Sequence, residues 1–431
     1  MAKRHNDRGG SLEAVIVRLE ELVLANSGED AFEEIFKLLI AKIWSEKTLP
    51  ADRFQVLTTP GETYSSVCRL LVEANNAWSG VMGDDFLPRL THEHMQVCVQ
   101  SLARHRISGE SFEVLDSFFE FLVARTAKES KGQFFTPRYV IDFCVRMLRP
   151  TPDALVLDPA CGSGGFLIQT LAFLRRESQL TDEQSVERYC KENLWGFDLD
   201  AKAVRVAKVL MLLAGGDANI IRLNSLLPEG DQTSNLFEEP SDRTTPSLTI
   251  EDICRTQRRN HRGFDVILTN PPFAGEVRER AILDGYSCGI GKTRVERDVL
   301  FIERCVRLLK PGGRMAIVLP QNKFAADGFA DVRAWLLKSV QIQAVVGLGR
   351  NTFMPHTHQK TSVLFVRKHM SSAEKQSPPP IFFAVSEREG KNSKGQLIER
   401  DASKPSASAW ERIDHDLDDI VRQYHAIAAI K

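Results

Sequence analysis

The sequence predicts an α/β fold: a mostly parallel sheet covered by helices on both faces, behind an all-helical N-terminal domain and ahead of a short tail. Three observations lead there. From about residue 129, short apolar β-type runs alternate with helical stretches. The two sharpest motifs each fall just after one of those runs, where ligands of open α/β sheets sit. Residues 11–128 instead carry apolar residues at helical spacing, with no strong strand–turn–strand pattern.

In the helical part, Leu12, Val15, Ile16, Leu19, Leu22 and Val23 share one face. Ser27-Gly-Glu-Asp30 has the form of a capping box before a second helix, with Phe32, Ile35, Phe36, Leu39, Ile43 and Trp44 on one side. Phe112, Leu115, Phe118, Phe119 and Leu122 form a third stripe, and the domain is expected to span 1–128. In the α/β part, 129–370, strands are expected at Leu155–Asp158, Leu194–Asp198, Ile220–Leu223, Val266–Thr269, Arg314–Pro320, Gln341–Gly347 and Thr361–Arg367. Helices are expected at 138–148, 166–176, 201–214, 299–309 and 329–338. No long helix separates the last two strands, which leaves them able to pair antiparallel. Residues 228–262, 274–297 and 371–380 read as loops or insertions, and the tail 371–431 holds one strand, Ile381–Val385, and a helix near 415–428.

Composition narrows the class. The chain has 431 residues, 43% hydrophobic and 26% charged, as an ordinary soluble globular protein does. It has no run of eighteen apolar residues and a polar N-terminus without the pattern of a signal peptide. Eight scattered cysteines without a Cys-x-x-Cys point to a reducing cytosol rather than to a disulfide framework or a zinc site. His356-x-His358 lacks the further ligands of a metal cage, so no metal is expected. The net charge of −1 is unlike that of a protein that grips DNA alone through many phosphates.

The first motif is Asp158-Pro-Ala160-Cys-Gly162-Ser-Gly164-Gly165-Phe166-Leu. It closes a strand and opens a helix, and its glycines let the backbone turn tightly and approach a ligand. The helix N-terminus behind it favours a carboxylate or phosphate. Asp158 is placed to bind the cationic amine of a methionine moiety. The same turn also suits a nucleotide, or a plain tight turn. Asp198, 36 residues beyond Gly162, ends the next strand and can take two ribose hydroxyls. It can equally be an N-cap, a role Asp200 also suits.

The second motif, Asn270-Pro271-Pro272-Phe273, is more specific. Two prolines fix the backbone and remove two N–H donors, leaving an acceptor-rich corner. The Asn270 side-chain oxygen and the Pro271 carbonyl can both accept from one –NH₂ group. An exocyclic amine is a poor nucleophile because its lone pair is delocalised; out-of-plane acceptors favour its reactive form and stabilise the charge that develops. Phe273 offers a face to a base. The competing interpretation is a rigid corner with a core phenylalanine. Together the two motifs describe a site that holds S-adenosylmethionine against a planar nitrogen.

At these residues the chain resembles the N6-adenine DNA methylases, specifically the modification subunits of type I restriction-modification systems, over nearly its whole length. Gly132-Gln133-Phe134-Phe-Thr136-Pro137 is similar to the family element that precedes the glycine turn and holds the cofactor's methionine end. Such an element is more typical of DNA-adenine enzymes than of protein or ribosomal relatives. Thr136 also reads as an N-cap and Pro137 as a first helical residue. Asp298-Val-Leu-Phe301 and Phe353-x-Pro355-x-Thr357-x-x-Lys360 match elements near the base pocket. Where members often carry an acid near the cofactor's adenine, this chain has Asn224, followed by Ser225.

The resemblance implies a Rossmann-like class I methyltransferase fold and methyl transfer from S-adenosylmethionine to N6 of a flipped adenine in DNA. Asn270 to Phe273 would be catalytic. Gln133, Phe134, Thr136, Asp158, Ala160, Gly162, Gly164, Gly165, Phe166, Asp198, Leu199, Asn224, Ser225 and Asn270 would line the cofactor. Arg278, Arg280, Lys292, Arg294, Arg297 and Lys360 are the candidate DNA contacts, diluted by Glu276, Glu279 and Glu296. Residues 371–431 are too few for a domain that reads a target sequence. A separate specificity subunit is therefore expected to dock on the helical domain and the tail, with two modification subunits per specificity subunit in the family's pattern; whether a restriction subunit also joins is left open by the sequence. Two alternatives stand beside this: transfer to a protein glutamine amide or an RNA base, and a scaffold that binds the cofactor without turnover.

Overall fold

A computed structural model describes residues 12–26, 28–48, 52–78, 80–83, 85–107, 119, 122, 136–227, 263–370, 379–400 and 410–429. The chain divides into two compact units, Met1–Glu129 and Ser130–Lys431.

The first unit contains α1 (Leu12–Asn26), α2 (Ala31–Thr48), α3 (Pro60–Ala77) and α4 (His92–Leu102). Helix α2 is the central one: Phe32, Ile35, Phe36, Leu39 and Ile43 are all fully buried. Two of its lysines go inside, because each finds an acid on the same helix; Lys37 pairs with Glu34 and Lys42 with Glu46, both at 2.9 Å. The expected cap at Ser27 is corrected to Asp30, whose Oδ1 accepts the Glu33 N–H at 3.1 Å. A full capping box instead opens α3, where Thr59 and Glu62 bond reciprocally and Pro60 takes the first position. Ser27, Phe112, Leu115 and Phe118 lie outside the described residues; Phe119 is buried edge-on to Phe36, with ring centroids 6.4 Å apart.

The second unit is built on an eight-stranded sheet. Its strands are β1 (Val156–Asp158), β2 (Leu194–Asp198), β3 (Asn219–Arg222), β4 (Phe264–Thr269), β7 (Leu309–Pro320), β8 (Val340–Gly347), β9 (Thr361–Lys368) and β10 (Phe382–Val385). Strands β5 (Glu276–Val277) and β6 (Val295–Glu296) form a separate antiparallel ribbon. The order across the sheet is β10-β8-β9-β7-β4-β1-β2-β3. Strand β9 runs antiparallel to both neighbours, as the missing helix before it allows, and the other pairings are parallel.

Among the described residues this unit also holds helices α5 (Arg138–Leu148), α6 (Gly165–Arg176), α7 (Glu183–Asn193), α8 (Ala201–Ala214), α9 (Arg280–Leu283), α10 (Arg297–Leu308), α11 (Asn322–Ala325), α12 (Ala330–Ser339) and α13 (Leu417–Ala429). The central strands are apolar on both faces: Val156, Leu157, Phe197, Val266, Ile267, Ile317 and Val363 are each fully buried. The chain lays down β1, β2 and β3 outward, then returns to place β4 on the other side of β1. That reversal opens a crevice at the carboxyl ends of β1 and β4, into which both motifs project.

The tail belongs to this unit. Strand β10 pairs parallel with β8, and α13 packs on α5, where Arg146 Nη1 meets Asp418 Oδ1 at 2.5 Å. Tyr139 of α5 donates its hydroxyl to the Glu389 carbonyl at 2.7 Å. Among the described residues, no helix is long and apolar enough to cross a membrane. Residues 228–262 and 371–378 lie outside the description.

Candidate active site

Strand β1 delivers Asp158 to the crevice almost fully buried, 1% exposed. Its Oδ1 accepts the Ala160 N–H at 3.1 Å, which folds the chain back over the strand end. Burial pushes its pKa up to about 7; the Asp198 charge adds to the rise and the Ala160 N–H opposes it. Gly162 has φ +51°, and a Cβ built there meets nothing within 4 Å, so the turn borders open space. Gly164, at φ +85°, precedes α6, and a Cβ on it would stand 3.3 Å from Ala207 Cβ of α8. Gly165 and Phe166 are already helical. The Ser225 hydroxyl, from the loop after β3, donates to the Pro159 carbonyl at 2.6 Å and ties that loop to the turn.

Asp198 ends β2. Its Oδ2 accepts the Gly162 N–H and its Oδ1 the Asp200 N–H, each at 2.9 Å. The N-cap of α8 is Asp200, which accepts from Lys202 and Ala203, so Asp198 is not the cap. Burial raises the Asp198 pKa, and the two N–H donors counter it. Leu199, beside it, is 52% exposed, an apolar surface at the strand end. Asn224 Oδ1 accepts the Leu226 N–H at 3.1 Å and fixes the turn after β3.

Strand β4 ends at Thr269, and Asn270, Pro271, Pro272 and Phe273 form the corner. Its parallel register with β1 places the corner on the same edge of the sheet as the glycine turn. The Asn270 amide Nδ2 donates to Thr136 Oγ1 at 2.8 Å. This corrects the expected capping role of Thr136: α5 starts at Arg138, with Pro137 at the N-cap position and no side-chain cap bond. Phe273 is only 8% exposed and stands edge-on to Phe353, centroids 6.0 Å apart. Gln133 and Phe134 lie outside the described residues.

Two arginines that the motifs did not single out brace this arrangement. Arg138 Nη1 donates to the Gly165 carbonyl at 3.2 Å, joining α5 to the glycine turn. Arg304 of α10, 2% exposed, donates its Nε to the Ser225 carbonyl at 2.9 Å. Nothing local in the sequence marks either, since both act on backbone far along the chain.

The ribbon follows the corner directly. Glu276 pairs with Arg278 at 3.0 Å and with Arg294 at 3.4 Å, and Arg280 with Asp284 at 3.6 Å. Lys292, Arg297 and Lys360 are exposed, Arg297 lying against Gly275. At its base Asp298 is fully buried and faces Lys323 at 3.1 Å; burial pushes its pKa up to about 6 while Lys323 pulls it down.

The family model of the N-6 DNA methylases matches residues 110–423. The methylase subunit of the type I restriction enzyme StySPI from Salmonella potsdam is 27% identical over 272 residues, 60% of this chain and 45% of the relative. The chain thus spans about half the length of the curated relatives it matches. Among solved structures, the methyltransferase subunit of a type I restriction-modification system from Streptococcus thermophilus superposes with a TM-score of 0.58 at 16% identity, covering 96% of this chain and 92% of that one. A Listeria monocytogenes protein assigned to the class I S-adenosylmethionine-dependent methyltransferases gives 0.55 at 15% identity, with 87% and 91% covered.

Proposed function

The chain belongs to the N-6 DNA methylase family, and on that premise we propose that it transfers a methyl group from S-adenosylmethionine to the exocyclic amine of an adenine in DNA. The observation that carries this is the Asn270 corner, set at the same sheet edge as a glycine turn held by a buried carboxylate.

The residues present fit the cofactor. The space beside Gly162 is open, two buried carboxylates flank it, and an exposed Leu199 adjoins them. Asp158 would hold the cationic amine, Asp198 the ribose hydroxyls and Leu199 the adenine face. Bound there, S-adenosylmethionine supplies a methyl group already activated on a sulfonium. The Asn270 Oδ1 and Pro271 carbonyl would accept the two hydrogens of the amine and draw its lone pair out of the ring plane. The methyl group would pass to the amine nitrogen as its bond to sulfur broke, and the surplus proton would leave to water. No strong base is required, so the corner acts by positioning. Phe273, braced by Phe353, would close one side of the pocket for a flipped base.

Arg278, Arg280, Lys292, Arg294, Arg297 and Lys360 are the proposed contacts to double-stranded DNA. In keeping with the relatives' description as subunits of type I restriction enzymes, we assign target reading to a specificity subunit. A complex of two copies of this chain per specificity subunit, with a restriction subunit joining it, follows the same pattern. A cytoplasmic location in a bacterium or archaeon agrees with the free thiols of the described cysteines.

The test is transfer of labelled methyl to DNA by the full chain with its co-purified partner. Asn270→Ala should lower kcat at least about 100-fold, a far larger change than any in the Kd for S-adenosylmethionine. Full activity in that variant, or label recovered in protein or RNA instead of DNA, would refute the assignment.

A further inference from the structure

The amide of Asn270 can do its proposed work in only one of two orientations. Its oxygen must face the amine; the –NH₂ end, turned there, would oppose the amine's own hydrogens. Rotating the amide by half a turn exchanges the two ends at almost no steric cost. A hydroxyl beside the amide can serve either end, accepting from –NH₂ or donating to the oxygen, so the bond actually made fixes the orientation. In this structure Nδ2 donates to Thr136 Oγ1 at 2.8 Å, which assigns Oδ1 to the opposite side.

Thr136 is well placed to hold that choice. The Pro137 carbonyl accepts the N–H groups of Val140 at 2.9 Å and Ile141 at 3.1 Å, so the chain at Thr136 runs straight into the first turn of α5. Arg138 ties that turn to the Gly165 carbonyl, and Tyr139 anchors it to Glu389. The hydroxyl therefore sits at a fixed point, built from a segment 134 residues before the corner it serves.

We propose that Thr136 is a positioning residue for methyl transfer: its Oγ1, accepting from Asn270 Nδ2, fixes the plane of the amide and leaves Oδ1 to the incoming amine. The proposal rests on the interpretation of Asn270 as the acceptor of that amine, and it differs from a role for Thr136 in cofactor binding. With a methyl group in place of the hydroxyl, burying –NH₂ against it leaves a donor unmet, and the amide turns over to avoid the cost. The oxygen is then withdrawn from the amine while the cofactor site stays intact.

The full chain, in the complex with its co-purified partner, is compared as wild type, Thr136→Val and Thr136→Ser. The valine variant should lose about tenfold in kcat with the Kd for S-adenosylmethionine within about twofold of wild type, and the serine variant should recover most of the loss. Selective ¹⁵N-asparagine labelling follows the Asn270 side-chain –NH₂ signal, identified by its disappearance in Asn270→Asp. That signal should move, and its exchange with water quicken, in Thr136→Val alone. A valine variant with normal kcat but weakened cofactor binding, or an Asn270 signal that ignores the substitution, overturns the proposal. If the wild type places no methyl on DNA adenine, the functional assignment falls, and the amide signal still decides whether Thr136 orients Asn270.

Discussion

Asp198 Oδ2 accepts the Gly162 N–H at 2.9 Å, so the end of β2 holds the turn that follows β1. Two loops that a bound cofactor would touch at opposite ends are thereby one mechanical piece. The Ser225–Pro159 bond and the Arg304–Ser225 bond extend that piece to the loop after β3.

Gly162→Ala tests the wall of this pocket. A Cβ there meets no atom within 4 Å, but φ is +51°. The strain should cost roughly 1–2 kcal/mol of stability, and the protein should still fold. The methyl group enters the open space, so affinity for S-adenosylmethionine should fall at least about tenfold by calorimetry. Unchanged affinity would place the cofactor elsewhere.

If Asp158 holds the cationic amine as proposed, stability and cofactor binding should respond to pH in opposite directions. Its folded pKa, about 7, lies above the unfolded value of about 3.9. Between those values the folded state keeps a proton that the unfolded state releases, so stability falls as pH rises through the window and levels off above it. Thermal melts without cofactor should show wild type losing ground to Asp158→Asn from pH 5 to pH 8. Affinity for the cationic amine should instead strengthen over that range in wild type alone. Parallel profiles for the two proteins would rule out Asp158 as the titrating group.

Glu276 restrains two candidate DNA contacts, Arg278 and Arg294. Glu276→Gln should release both and tighten DNA binding on the order of fivefold at low salt. The dependence of log K on log salt should steepen by about one unit for each added phosphate contact. Filter binding or anisotropy across a salt series reads both. An unaltered slope would mean that the ribbon does not meet the phosphates.

Tyr139→Phe isolates the seam between α5 and the tail. The hydroxyl is buried and bonded to the Glu389 carbonyl. Its loss should cost about 1–2 kcal/mol, or about 2–4 °C in Tm, with kcat within about twofold of wild type. A melting temperature equal to that of wild type would show that this bond contributes nothing to the docking of the tail.

Strand ends were legible in the sequence wherever apolar β-runs met a motif. Thus β2 begins and ends as expected, and β4 leads into the Asn270 corner. Strand β7 runs further than expected, from Leu309, because Lys310-Pro-Gly-Gly313 reads as a turn yet continues the strand beside an irregularity in β4. Helix α7 escaped notice because its exposed face is so charged; only Val186, Tyr189, Cys190 and Asn193 are buried. The ribbon strands, two residues each, are too short to show a period. Within the site, residue types announced Asp158, Gly162, Asp198 and Asn270. What Thr136, Arg138 and Arg304 do was hidden, because each bonds a partner remote in sequence that only the finished sheet brings near.

The placement of β9 between β7 and β8 has a consequence for synthesis on the ribosome. Strand β8 is translated first, yet its only route into the sheet runs through β9. Until Thr361–Lys368 has emerged, β7, the neighbour of the strand that leads into the proposed catalytic corner, keeps its far edge bare, and β8 waits unpaired. A nascent chain halted at residue 360 would therefore carry every residue of the proposed catalytic centre while exposing two sticky edges, and would be a natural client for chaperones.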